Sequence, residues 1–171
     1  MTEQELRDAI AREAWTWVGT KYHDYAGVKR GKHAGTGGVD CAFFPLRVYQ
    51  ATGFIDKNYK PEWYSPQKWL NSPSQVDKFH LRHEDDTMLR IVEQMLKREV
   101  VEPEKPKRGD LMICMVVNSW THAAIIIDWP TMVLHPVKGR GVIGSHALQE
   151  GFWASTPKRY FSMFEVSDVT V

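Results

Sequence analysis

Apolar side chains recur at helical spacing from the start of the chain, with Leu6, Ile10, Ala14 and Trp17 on one stripe. Thr2 followed by Glu5 reads as a capping box at its head, and Gly19 supplies a stop. Residues 41–52, CAFFPLRVYQAT, read as a second helix closed by Gly53. Inside it Pro45 leaves the Cys41 carbonyl without a donor, so its first turn is expected to bend. Met88, Ile91, Val92, Met95 and Leu96 mark a third helix over about 84–99. From residue 111 the period changes to that of strands: 111–117, 122–128, 132–137, a short piece at 141–147, and 159–166. Helices followed by antiparallel strands predict an α+β fold, with N-terminal helices packed on an antiparallel sheet of about five strands.

Two stretches lack a period. Residues 19–40 carry glycine at 19, 27, 31, 35, 37 and 38 and read as a long loop of the functional kind. Residues 54–84 mix aromatics with turn residues, and the charged VEPEKPKRGD leads into the first strand. A length of 171 residues suits one domain, 1–171, with an insertion at about 54–106. Trp15 and Trp17 cannot share one helix face, so one of them is expected to pack on the insertion or the glycine-rich loop. Trp63 and Trp69 are candidates for a groove lining.

Composition narrows the classes. With 22 Lys+Arg against 21 Asp+Glu and a net charge of +1, a dedicated nucleic-acid binder is not expected. No apolar run approaches the roughly 20 residues that span a bilayer, so no membrane partner is expected either. The opening MTEQELRDAIAREAW is too charged for a secretory leader, and two cysteines make no disulfide framework. Synthesis in a reducing compartment without an export signal is the expectation.

Candidate chemistry gathers on three residues. Cys41 follows Asp40 where the glycine-rich loop feeds the second helix. A thiol in a first helical turn faces unpaired N–H groups and the positive end of the helix dipole, both of which favour thiolate. Asp40 is a good N-cap, though its charge opposes that effect. His122 and His135 lie on neighbouring strands around Asp128, Trp129 and Pro130. A four-residue loop, 127–130, closed by an Ile126–Thr131 pair, would set the two histidines opposite one another on one face, with Cβ atoms about 5 Å apart. Slipping that loop by one residue would send His135 to the other face. Thiol, base and orienter are the parts of an activated cysteine nucleophile. GVKRGKH lacks the length and hydroxyl of a phosphate loop, His80 and His83 lack companion ligands, and Cys114 reads as an inert core thiol. No metal and no cofactor is expected.

WVGTKYHDYAGVKRGKHAGTGGVDCAFFPLRVYQATG resembles the Gly-x-x-Tyr…Asp-Cys helix of the NlpC-type peptidoglycan endopeptidases, which have a papain-like fold. KPKRGDLMICMV resembles their Pro-x-x-Gly-Asp-Leu strand lead, and THAAIII and MVLHP their two histidine strands. The resemblance covers about residues 8–164 and is nearest to the phage and prophage tail-associated branch, through the segment around YSPQKWL and the acidic helix after it.

The resemblance implies a cysteine peptidase cutting cell-wall stem peptides after γ-linked D-glutamate, through an acyl-enzyme. It carries over Cys41 as nucleophile, His122 as general base and His135 as orienter. Tyr22 becomes a site-lining residue that supports oxyanion or substrate. Asp40 becomes an acid that recognises a free amino group, a role that competes with capping. Its partners would be peptidoglycan stem peptides and phage tail proteins, and its place a bacterial cytoplasm at synthesis and a virion tail at work. Two departures stand out. Ala42–Phe43 replace the common Ser-Gly after the cysteine, and the 23–38 loop is long and basic, with Lys29, Arg30 and Lys32. The Ala42–Phe43 departure keeps a second reading open, a catalytically idle tail-assembly or wall-binding module. A third is an intracellular thiol amidase or acyltransferase acting on another small amide.

Overall fold

Thr2 and Glu5 start the first helix, α1 (Glu3–Trp15), by bonding reciprocally. The Thr2 hydroxyl accepts the Glu5 N–H at 3.2 Å, and the Glu5 carboxylate accepts the Thr2 N–H at 2.7 Å. These coordinates are a computed structural model describing residues 1–24, 26–31, 37–60, 87–116, 119–149 and 152–165. Trp63, Trp69, His80, His83 and the YSPQKWL segment lie outside the described residues.

After α1 come two short strands inside the glycine-rich loop, β1 (Gly27–Val28) and β2 (Gly38–Val39), paired antiparallel. Helix α2 (Phe43–Ala51) follows, then α3 (Thr87–Met95). The strands are β3 (Arg98–Val100), β4 (Leu111–Val116), β5 (Ser119–Asp128), β6 (Met132–Val137) and β7 (Gly141–Ser145). A single-turn helix, α4 (Phe152–Ser155), precedes β8 (Lys158–Ser162). Among the described residues the main sheet has six strands, all antiparallel, in the order β3-β8-β4-β5-β6-β7.

The sixth strand corrects the expected count of about five. It also corrects the helix expected over 84–99, because α3 stops at Met95 and residues 98–100 are β3. The Lys97 N–H turns to the Ser162 carbonyl at 3.1 Å, which takes the chain off the helix and onto the edge of β8. Pro45 falls in the first turn of α2 because that helix begins at Phe43, two residues later than expected. There a missing N–H removes no helical bond.

Alternation along the strands builds two apolar layers. Leu111, Ile113, Ala123, Ile125, Leu134 and Phe161 join Ile10, Ala14, Phe44 and Val48 of α1 and α2. Met112, Cys114, Ala124, Ile126 and Val133 face the other way and meet Trp153 of α4. Trp17 is buried edge-on against Phe44, at 6.2 Å between ring centroids, with Lys29 of the glycine-rich loop over its face, while Trp15 is exposed.

One residue on the buried stripe of α1 is charged. Arg7 is 3% exposed, and its Nη1 donates to Asp110 Oδ1 at 2.8 Å and to the Arg108 carbonyl. Ser162 donates to the same Asp110 oxygen at 2.7 Å, and Asp110 Oδ2 accepts the Lys107 N–H. Next door, the buried Tyr49 hydroxyl of α2 donates to the Gly109 carbonyl at 3.0 Å. One polar cluster therefore ties α1 and α2 to β4 and β8.

Replacing one member of a buried ion pair leaves the other charged and unpaired, which costs about 3–5 kcal/mol. Arg7→Ala is expected to lower stability by that order, read as the shift of the urea midpoint at constant slope.

Candidate active site

The loop that carries Tyr22 is held against the start of α2. Tyr22 bridges Val39, the Val39 N–H bonds the Lys21 carbonyl at 3.0 Å, and the Asp40 N–H bonds the Ala26 carbonyl at 3.2 Å. Gly38 permits this, because a Cβ there would lie 2.5 Å from the His23 Cβ. Asp40 is buried, and its Oδ1 accepts the N–H groups of Ala42 at 3.0 Å and Phe43 at 2.8 Å. The Asp40 carbonyl takes the Phe44 N–H as well. Asp40 thus satisfies the backbone donors at the entry to α2 from two residues ahead of Ala42, which holds the cap position without a side-chain bond of its own.

Cys41 is 6% exposed, and its thiol donates to the Thr121 carbonyl at 3.2 Å. Thr121 is the extra residue of a β-bulge, since Cys114 pairs with His122 while Met115 pairs with Trp120. The bulge frees that carbonyl from the ladder and turns it toward the start of α2. The Ala123 N–H also bears on the sulfur, so the thiol sits against the backbone on both sides of His122.

The expected thiolate is not what these surroundings favour. Burial first, and the Asp40 carboxylate second, push the Cys41 thiol up to about 12. The N–H groups at the head of α2 that were expected to favour the anion are occupied by Asp40. Among the described residues no hydrogen bond joins the thiol to an imidazole.

The two histidines do meet. His122 Nε2 and His135 Nδ1 are 2.9 Å apart, and His135 Nε2 lies 2.9 Å from the Ser145 hydroxyl. The cross-strand register differs from the expected one. Ile125 pairs with Leu134 and Ile126 with Val133, and a bulge then brings Asp128 opposite Met132. This slip of two residues replaces the expected Ile126–Thr131 closure and keeps both histidines on one face, as diagonal neighbours. Trp153 covers them, with ring centroids 5.3 Å from His122 and 4.6 Å from His135. Burial lowers both imidazoles, His122 to about 4 and His135 to about 3. His122 keeps part of its surface open to a cavity while protein crowds the rest of the ring.

That cavity, of about 520 Å³, is lined by His122, His135, Ser145, Trp153 and Tyr22, with Lys138 and Arg140 at one end. Tyr22 donates its hydroxyl to Asp24 at 3.0 Å, and burial first of all holds its pKa well above the usual phenol range. Phe43 packs elsewhere, close to Gly27 and Arg47 and along a small apolar crevice between α2, α3 and Ala123. Ser145 and Trp153 carried no signal in the sequence beyond their residue types.

The sequence profile of the NlpC/P60 family matches residues 14–161. RipD of Mycobacterium tuberculosis, described as a non-catalytic NlpC/p60 domain protein adapted to peptidoglycan binding, is similar with a TM-score of 0.52 at 14% identity, over 93% of this chain and 98% of its own. The P60 domain of an antigen from M. avium paratuberculosis gives 0.53 at 14%, over 94% and 95%. The NlpC/p60 domain of the peptidoglycan hydrolase SagA gives 0.50 at 21%, over 92% and 98%. At these identities the structures share the fold. No curated protein sequence matches the chain.

A thiol held near 12 alkylates through a small thiolate fraction that grows tenfold per pH unit. Iodoacetamide labelling of Cys41, followed by mass spectrometry, is expected to climb from pH 7 to 10 without levelling near 8.5. Asp40→Asn keeps a cap acceptor but removes the charge, and is expected to speed labelling several-fold at pH 8.

Proposed function

The chain belongs to the NlpC/P60 family, and from that premise we propose a cysteine hydrolase of peptidoglycan stem peptides, acting through a Cys41 acyl-enzyme. One observation carries the reading: a hydrogen-bonded line from His122 through His135 to Ser145, opening on a cavity that Tyr22 also lines, with the Cys41 thiol against the backbone on either side of His122.

The line fixes where protons go. With Nε2 of His122 engaged by His135, Nδ1 is the nitrogen left to take the thiol proton. For Nδ1 to be a base, Nε2 must carry hydrogen and donate to His135 Nδ1. His135 then carries its own hydrogen on Nε2 and donates to Ser145. The opposite polarity, with Ser145 donating, would leave a proton on His122 Nδ1 and remove the base. A thiol held up and an imidazole held down do not exchange a proton at rest. The proton therefore leaves sulfur as the C–S bond forms. Nδ1 returns it to the departing amine, and water then attacks the thioester, releasing the acid and restoring the thiol.

We assign the cut to the amide after γ-linked D-glutamate, on the match of Tyr22 and Asp40 to family positions. We assign the place of action to a phage or prophage tail, on the likeness of the YSPQKWL region to that branch, and recovery of the chain in purified particles tests this.

A second reading, a wall-binding module without turnover, has one observation in its favour: the thiol donates to the Thr121 carbonyl and lacks a histidine partner among the described residues.

Mass spectrometry of defined stem peptides separates the two. The hydrolase reading expects cleavage after D-glutamate, with a loss of order 10³ or more in Cys41→Ala. Ser145→Ala, folded, is expected to keep slow cleavage, about tenfold down in kcat. Binding without cleavage by the wild type would leave the wall-binding module.

A further inference from the structure

Beyond the histidines, the cavity ends in charge. Lys138 and Arg140 line it, exposed, at the turn between β6 and β7, and among the described residues the lining includes no carboxylate. Neither side chain has a hydrogen-bond or ion-pair partner among the described residues. Elsewhere in the chain Arg7, Lys29, Arg98 and Arg159 meet carboxylates at 2.6–2.8 Å. Arg140 is close enough to His135 to act on its charge.

The turn is also held in place. Gly139 and Gly141 have φ of +81° and +78°, and the Arg140 N–H bonds the Val137 carbonyl at 2.9 Å. Val142 and Thr20 bond through N–H to carbonyl at 2.8 Å, and Gly19 returns a bond to Val142 at 3.0 Å. Gly141 is pressed to 2.4 Å, measured from the Cβ it lacks, against the Thr20 carbonyl. The same loop carries Tyr22, so the cationic turn is tied to the segment that supplies another lining residue of the cavity. Val116, Pro136, Val137 and Ile143 add an apolar part to the lining.

A cavity with the two histidines along it, an apolar stretch of lining and two cations that have no partner among the described residues suits a peptide that carries a carboxylate near the scissile amide. We propose that Lys138 and Arg140 form a carboxylate subsite that selects acidic over amidated peptides. This rests on the hydrolase reading above for the identity of the peptide, and on the cavity alone for the charge it selects.

The test uses one stem peptide in four forms: carboxylates free, amidated on the acyl side of the scissile bond, amidated on the amine side, and amidated on both. Wild type is expected to prefer the free form over the doubly amidated form by roughly 10- to 100-fold in kcat/KM, mostly through KM. The Lys138→Gln/Arg140→Gln double variant is expected to lose that preference and match wild type on the doubly amidated form. The singly amidated forms identify which carboxylate is bound. A preference that survives in the double variant, or equal losses on all four peptides, overturns the subsite. Calorimetric binding of the same peptides to Cys41→Ala keeps the two claims apart. Charge-selective binding that depends on Lys138 and Arg140, without cleavage by wild type, supports the subsite and overturns the hydrolase. Cleavage by both proteins with the same preference overturns the subsite alone.

Discussion

A guanidinium and a carboxylate, Arg7 and Asp110, meet at 2.8 Å with almost no water around them, and the placement of the site follows from that pair. Neither charge is tolerable alone at such burial. α1 therefore docks where β4 begins, and Ser162 draws β8 into the same cluster. The residue before Asp110 presents its carbonyl to Tyr49, which fixes how α2 lies on the sheet. The other end of α2 then delivers Asp40 and Cys41 to β5 at the one point where a bulge leaves the Thr121 carbonyl available.

Around the cysteine, burial acts on both partners of the expected couple in the same direction. It disfavours the thiolate and the imidazolium alike, so a preformed ion pair is not the resting state. Asp40 reinforces this by occupying the first N–H groups of α2. A neutral pair is still competent when proton transfer accompanies attack, provided the imidazole presents the right nitrogen. In the proposed mechanism the His122–His135–Ser145 line fixes that nitrogen, and Trp153 packs against both rings.

Much of this was legible in the sequence where periodicity is strong. The Thr2–Glu5 cap, the Cys41 helix and the strands from 111 onward follow from local pattern. The two histidines were placed on one face even though the register was off by two residues, because side-chain direction in a strand depends on parity. β3 was missed because three residues of an edge strand, two of them charged, make no alternation long enough to read. Ser145 and Trp153 come from β7 and a single-turn helix, and only the sheet order and the cover on its far face bring them to the histidines. Arg7 did leave a trace, as a charge on the stripe shared by Ile10 and Ala14. The thiolate expectation failed for a readable reason, since Asp40 precedes Cys41 and its carboxylate takes the N–H groups the sulfur would need.

The central claim is a covalent one, that Cys41 forms an acyl bond with a stem peptide. Acid-quenched intact-protein mass spectrometry during turnover tests it most directly. The account predicts a transient adduct equal in mass to the acyl fragment of the peptide, mapped to Cys41 and absent in Cys41→Ala. Cleavage that proceeds with no adduct on wild type and persists in Cys41→Ala would contradict it.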